Sequence, residues 1–131
     1  MKFLIKITKG IIDRSIFCGT LNHPQGVEYS DHCALSEAIG ELVPARVQNS
    51  IIIFKNKDND GGWSVDTTVE QRRMIRDFDG PIAEGGDIRD RYQLVGREVE
   101  VEIPDPVIEY WYGDAVKAVE RIANSKTLIP V

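Results

Sequence analysis

The stretch from Ser30 to Leu42 constrains the fold more than any other part of this sequence. Its apolar residues recur at helical spacing and form one stripe, made of Ala34, Leu35, Ala38, Ile39 and Leu42. Asp31 or Ser30 can cap the free N–H groups of the first turn, and Pro44 cannot continue the helix. The pattern predicts a helix that is buried on most sides, with the other elements packed around it.

Composition narrows the class of protein. The chain has 131 residues, of which 42% are hydrophobic and 28% charged, as is ordinary for one globular domain. Its net charge of −5 argues against binding duplex nucleic acid, because that needs clustered Lys and Arg. Two cysteines make no disulfide framework, no signal peptide is visible, and no apolar stretch approaches the roughly 20 residues of a membrane span. We therefore expect a cytoplasmic protein without membrane contact.

Alternating and β-branched patterns predict about four strands. These strands are expected within residues 2–8, 46–56, 63–66 and 92–103. A polar turn over residues 55–62 carries a strong hairpin signal between the middle two strands. The last strand carries three glutamates on one face, which is expected to lie in solvent or near cations.

Helical patterns separate the strands. They cover residues 9–15, 30–42, 69–79, 107–112 and 115–124. Thr67 and Glu70 are expected to form a capping box for the third helix, and Gly80-Pro81 to end it. Its inward face is predicted to carry Val69, Met74, Ile75 and Phe78. Residues 82–93 are expected to form a loop.

These elements predict an α+β fold with a small antiparallel β-sheet of about four strands and helices packed on one face. We expect a single domain over residues 1–131, with a C-terminal helical extension over residues 106–131. The apolar tail after Leu128 is expected to dock on the core or on a second subunit.

The order of several short motifs resembles that of small phage, prophage and bacterial proteins of uncharacterised function. The motifs are Ile7-Thr8, Cys33-Ala34-Leu35, Phe78-Asp79-Gly80 and Val99-Glu100-Val101-Glu102-Ile103-Pro104-Asp105. The resemblance spans about residues 3–108 and departs from those proteins in a longer loop before Cys33 and an extra C-terminal helix. It implies a viral or mobile-element origin, and it supplies no activity and no catalytic residue.

A group of arginines forms the first candidate site. Three of them share a face of the third predicted helix and two follow it, namely Arg72, Arg73, Arg76, Arg89 and Arg91. Guanidinium groups bind phosphate or carboxylate bidentately, so we expect an anion site here. The alternative is a solvated helix face on which the arginines pair with Glu70, Asp77 and nearby acids.

Aromatic residues provide candidate walls for such a site. Tyr110, Trp111 and Tyr112 are consecutive and cannot all face one core, so at least one is expected to be exposed or at an interface. Trp63 and Trp111 are our candidates for stacking on a bound base. Core packing and subunit contact are the alternatives.

Cys33 is the candidate nucleophile, because the start of a helix favours the thiolate. A cysteine hydrolase also needs a nearby general base, and the chain offers only His23 and His32. We expect His32 to point away from Cys33 around the helix, whereas His23 could fold back from the upstream loop. The alternative is that Cys33 is a small buried hydrophobic residue.

No metal or cofactor is expected. Cys18, His23, His32 and Cys33 are suitable zinc ligands, but their spacing matches no common zinc site. The segment 58–62 resembles a calcium loop, yet Val69 occupies the twelfth position, where that motif needs glutamate, so a turn is preferred. Nucleotide-binding glycine motifs are also absent from the sequence.

Three functions remain open. We favour a non-catalytic protein that binds a small anionic ligand such as a nucleotide, which in a phage protein would sequester a nucleotide immune signal of the host. The first alternative is a protein–protein interaction or inhibitor module that acts as a homo-oligomer. The second is a cysteine hydrolase that uses Cys33.

Overall fold

The computed structural model describes residues 1–15, 33–48, 50–83 and 88–131, without the side chains of residues 79–83 and 88–90. The α+β class is confirmed. In these residues the strands are β1 (Lys2–Lys6), β2 (Ala45–Val47), β3 (Ile51–Lys55), β4 (Gly61–Asp66), β5 (Glu98–Glu102) and β6 (Leu128–Pro130). The helices are α1 (Lys9–Ser15), α2 (Ala34–Ile39), α3 (Val69–Ala83), α4 (Asp105–Tyr112) and α5 (Ala115–Arg121), with a 3₁₀ helix at Ile88–Leu94.

The described strands form two antiparallel sheets of three strands instead of one sheet of about four. The first sheet has the order β5-β1-β6. Its inner face is buried, with Phe3 opposite Val101 and Ile5 opposite Val99. On its outer face the β5 glutamates are exposed, and Lys2 lies opposite Glu102. Opposite charges across strands stabilise such a pair by about 0.2–1 kcal/mol.

The second sheet has the order β2-β3-β4 and corrects the single strand predicted over residues 46–56. The chain turns between β2 and β3, and the Gln48 N–H donates to the Ile51 carbonyl oxygen at 2.9 Å. Polar residues therefore divide the run into two short strands. The predicted hairpin between β3 and β4 is confirmed, with a β-bulge between Phe54 and Lys55.

The central helix is shorter than predicted. Cys33 is the N-cap of α2, without a side-chain capping bond, and the helix ends at Ile39. The predicted caps Ser30 and Asp31 lie outside the described residues. Burial of the helix is confirmed, because the side chains of Ala34, Leu35, Ser36, Ala38 and Ile39 are all buried.

Helix α3 begins with a capping box one residue later than predicted. The Gln71 N–H donates to Thr68 Oγ1 at 3.1 Å, and the Thr68 N–H donates to Gln71 Oε1 at 2.9 Å. Gln71 Nε2 also donates to the carbonyl oxygen of Glu100 at 2.8 Å, so it joins α3 to β5. This tertiary contact explains why Gln71, and not Glu70, completes the box. Val69, predicted to face inward, is 54% exposed.

The same helix continues past its predicted end. It runs through Gly80 and Pro81 to Ala83. Proline has no N–H, so the helix passes this position without one of its i→i−4 hydrogen bonds. Residues 88–93 were predicted as part of a loop, but they belong to the 3₁₀ helix Ile88–Leu94, which packs on α3 and α1.

The C-terminal region adds a strand to the predicted helices. Asp114 is the N-cap of α5 and accepts from the Lys117 N–H at 2.9 Å, so the predicted break at Gly113-Asp114 is confirmed. The tail then forms β6, in which Leu128 is fully buried opposite Ile5. In this structure the tail therefore completes the first sheet.

Buried residues of both sheets and the described helices join in one core. Phe3 and Val101 come from the first sheet, Ile52 and Phe54 from the second, and Leu35 from α2. Helix α2 contacts β1 of the first sheet, β2 of the second sheet, and α3. It therefore connects the two sheets with α3. None of the described helices is both long and apolar enough to cross a membrane.

Candidate functional site

The described arginines of the predicted cluster line neither of the two cavities described below. Arg91 is buried, with only 1% of its surface exposed. Its Nε donates to the Phe78 carbonyl oxygen at 2.7 Å, and its guanidinium carbon lies 3.8 Å from the centroid of the Phe78 ring. A buried charge needs such partners, so Arg91 supports the packing of the 3₁₀ helix on α3.

The arginines of α3 have different surroundings. Arg72 Nη1 donates to the carbonyl oxygen of Thr67 at 2.5 Å and to its Oγ1 at 3.2 Å. Arg73 and Arg76 are exposed, and neither makes a hydrogen bond or ion pair with the described part of the chain. The side chain of Arg89 lies outside the described residues. The binding role predicted for these arginines stays a prediction.

The two predicted tryptophans lie near each other where α4 packs on the β3–β4 hairpin. Tyr110 connects them, with ring centroids 4.9 Å from Trp63 and 5.5 Å from Trp111. Trp111 Nε1 donates to the Lys55 carbonyl oxygen at 3.1 Å, and Tyr110 accepts from the Lys57 N–H at 3.0 Å. These contacts dock α4 on the β3–β4 hairpin, so much of the aromatic surface is used in packing.

Cys33 is 5% exposed, and its Sγ lies 3.3 Å from Ser36 Oγ. Ser36 Oγ also accepts from the Val47 N–H at 3.2 Å, which ties α2 to β2. The burial matches the interpretation of Cys33 as a small hydrophobic residue. Of the candidate zinc ligands only Cys33 is described, since Cys18, His23 and His32 lie outside the described residues.

The segment considered as a calcium loop forms a tight turn. Asn56 Oδ1 accepts from the backbone N–H groups of Asp58 at 3.0 Å and Asp60 at 3.1 Å. Asn59 has a φ of 64°, a left-handed conformation that asparagine tolerates well. The preferred interpretation as a turn is confirmed.

A cavity of about 440 Å³ lies where α1, α2 and the second sheet meet, and we call it the Arg14 cleft. It is lined by Arg14, Ser36, Glu37, Gly40, Glu41, Pro44, Ala45 and Lys55. Two cations and two carboxylates therefore face one small space. Cavities of about 300–1,000 Å³ are typical of small-molecule sites, so the size suits a small polar ligand.

Arg14 is held in place by the two carboxylates. Its Nε lies 3.5 Å from Glu37 Oε2, and its Nη2 donates to Glu41 Oε1 at 3.3 Å. Glu41 Oε2 also accepts from Ser125 Oγ. A guanidinium group has five N–H donors, so these contacts leave donors of the exposed Arg14 side chain for a ligand.

Lys55 lies in the wall of the cleft directly after the buried Phe54, with only 8% of its surface exposed. Regular alternation directs these two neighbouring side chains to opposite faces of β3. The register shift beside them arises on β4, because Phe54 pairs with Trp63 and Lys55 pairs with Gly61, which leaves Gly62 as the extra residue.

A second cavity, of about 380 Å³, has a different electrostatic character. It is lined by Met1, Asp105, Ile108, Glu109, Gly113, Asp114 and Ala115. The Met1 ammonium group is already bonded to Glu102 at 3.0 Å and to Asp105 at 3.1 Å. The remaining carboxylates would repel an anion, so this cavity is a poor match for the predicted ligand.

The residues of the Arg14 cleft were not among the candidates predicted from the sequence. Glu37 and Glu41 are one helical turn apart beside the buried stripe of α2, which was a usable local signal. Arg14 and Lys55 both lie far from this pair of glutamates in the sequence, so no motif connects the four residues.

Comparisons of this chain with protein-family models, curated proteins and solved structures found no match.

Proposed function

We propose that this protein is a non-catalytic binding protein whose ligand is a small, nucleotide-like anion held in the Arg14 cleft. The observation that carries the proposal is the cavity of about 440 Å³ with Arg14 and Lys55 in its wall. The ligand class is the one predicted from the sequence, whereas the proposed site is this cleft instead of the α3 arginines.

The mixed charge of the cleft favours a ligand with both an anionic and a hydrogen-bond-donating part. Arg14 and Lys55 offer N–H donors to a phosphate. Glu37 and Glu41 offer carboxylate acceptors to ribose hydroxyl or base amino groups. A nucleotide has both kinds of group. If the chain derives from a phage, sequestration of a host nucleotide signal is the corresponding biological role.

Calorimetric titration with AMP, a cyclic nucleotide and ADP-ribose tests this proposal, with adenosine and inorganic phosphate as partial ligands. We expect heat with the phosphorylated compounds, reduced affinity for each part alone, and weaker binding as ionic strength rises. Absence of heat across the panel, with protein that melts cooperatively, would refute the proposal.

Three variants locate the site. Arg14→Gln should weaken binding by about tenfold or more, since it removes a charge-assisted contact of about 1.5–3 kcal/mol. The matched control Arg73→Gln removes the same charge outside the cleft and should leave the affinity unchanged. Glu37→Gln should strengthen binding of inorganic phosphate, because it removes a competing negative charge beside Arg14. Equal effects of Arg14→Gln and Arg73→Gln would place binding elsewhere.

A further inference from the structure

We propose that the outward face of α3 docks an acidic segment of a protein partner. We call this surface the α3 arginine face. It consists of Val69, Arg72, Arg73 and Arg76, at positions i, i+3, i+4 and i+7 of one helix. The other side of α3 is buried through Gln71, Met74 and Phe78. The face is thus on the surface of a helix that is firmly anchored from behind.

The positive charge of this face is not neutralised by the described residues. Asp77 is one turn after Arg73 and would be its natural partner, but its carboxylate pairs with Arg97 Nη1 at 2.5 Å. Glu70, one turn before Arg73, makes no ion pair with it within the described residues. Arg73 and Arg76 therefore hold their charge in solvent on a protein whose net charge is −5.

The shape and composition of the face favour a protein partner. The α3 arginines line neither of the two cavities described above. Val69 is 54% exposed beside the arginines, which gives the face an apolar contact point. The net negative charge of the molecule disfavours long nucleic acids. A helix or strand that presents Asp and Glu around an apolar side chain complements all of these features.

The proposal is tested by fluorescence anisotropy with a labelled peptide. The peptide consists of Glu residues with Leu residues spaced at positions i and i+4. The full chain should bind this peptide, with affinity that falls as salt rises. The variant Arg73→Glu/Arg76→Glu should weaken binding by about tenfold or more, because it replaces attraction with like-charge repulsion. Val69→Ser should also weaken binding without changing the charge.

The matched control is Lys117→Glu/Lys126→Glu, which makes the same change in net charge at two exposed lysines far along the chain. It should leave peptide binding unchanged. Thermal unfolding checks that each variant is folded. If Arg73→Glu/Arg76→Glu is unfolded, Arg73→Gln/Arg76→Gln is used in its place.

Several results would overturn the proposal. Equal loss of binding in both double variants would show a response to net charge alone, and no binding by folded wild-type protein would remove the site. Tighter binding of a single-stranded oligonucleotide than of the peptide would assign the face to nucleic acid. If the protein formed a concentration-dependent dimer, and Arg73→Glu/Arg76→Glu dissociated that dimer, the partner on this face would be a second copy of the chain.

Discussion

The guanidinium group of Arg91 lies over the ring of Phe78, 3.8 Å from its centroid, while its Nε donates to the carbonyl oxygen of the same residue at 2.7 Å. One buried side chain thus satisfies a backbone acceptor of α3 and covers a core aromatic ring. The arrangement makes Arg91 a residue of the core, although its charge and its place after α3 suggested a ligand-binding role.

Arg91→Lys should destabilise the protein by about 2 kcal/mol, because lysine loses the planar contact with the ring and the bond from Nε to the carbonyl oxygen. Chemical denaturation with an unchanged m-value would measure this loss. Arg76→Lys, on the exposed face of α3, is the control and should stay within about 0.5 kcal/mol of wild type. Equal effects of the two substitutions would contradict the assigned role of Arg91.

The capping box of α3 makes a second prediction. Thr68→Ala should cost about 1 kcal/mol, as expected for loss of a helix cap. Gln71→Ala should cost more, because it also removes the bond to the Glu100 carbonyl oxygen. Glu70→Ala should change stability by less than about 0.5 kcal/mol. An equal loss of stability in Glu70→Ala and Gln71→Ala would instead indicate that Thr67 and Glu70 form the capping box.

The contact between Asp13 and Tyr92 should make stability depend on pH. The hydrogen bond from Tyr92, together with the Lys9 ammonium group 2.9 Å away, lowers the pKa of Asp13, and the same hydrogen bond raises the pKa of Tyr92. The contribution of Asp13 is fully present above its ordinary pKa of about 3.9 and is lost as pH falls through the lowered value. That of Tyr92 is present below about 10 and is lost as pH rises through the raised value.

Thermal unfolding of Asp13→Asn, Tyr92→Phe and the double variant over a range of pH measures both effects. The difference between wild type and Asp13→Asn should be constant near neutral pH and disappear in strong acid. It should also shrink when Tyr92 is already phenylalanine, because the two residues share the hydrogen bond. A difference that is independent of pH and of Tyr92 would show that this contact contributes nothing.

Burial of Cys33 predicts slow alkylation. Iodoacetamide should modify Cys33 only slowly in the folded protein and rapidly after denaturation, since reactive thiols are accessible thiolates. Peptide mapping by mass spectrometry separates its reaction from that of Cys18. Rapid modification of Cys33 in native protein at neutral pH would instead support the cysteine-hydrolase alternative.

Local signals in the sequence were sufficient to predict a helix or strand whose formation depends mainly on its own residues. Thr8 and the pair Ile11-Ile12 define α1, and alternation of apolar residues defines β1 and β5. Both Thr67 and Thr68 have a suitable partner three residues later, so only the contact of Gln71 with β5 selects the second box.

The candidate site was harder to predict because it is assembled from distant parts of the chain. Burial of Arg91 depends on its contact with Phe78, which no local spacing indicates. The Arg14 cleft combines a residue of α1 with residues of α2 and β3. No spacing rule connects such residues before the tertiary structure is known.

The place of β1 between β5 and β6 has a consequence for how the chain folds during synthesis. The second sheet is built from neighbouring segments and can form soon after residue 66 leaves the ribosome, because short loops close at little entropic cost. The first sheet cannot be completed until residues 128–130 emerge. Until then one edge of β1 lacks its partner, so the nascent chain exposes an unpaired strand edge that chaperones would be expected to cover.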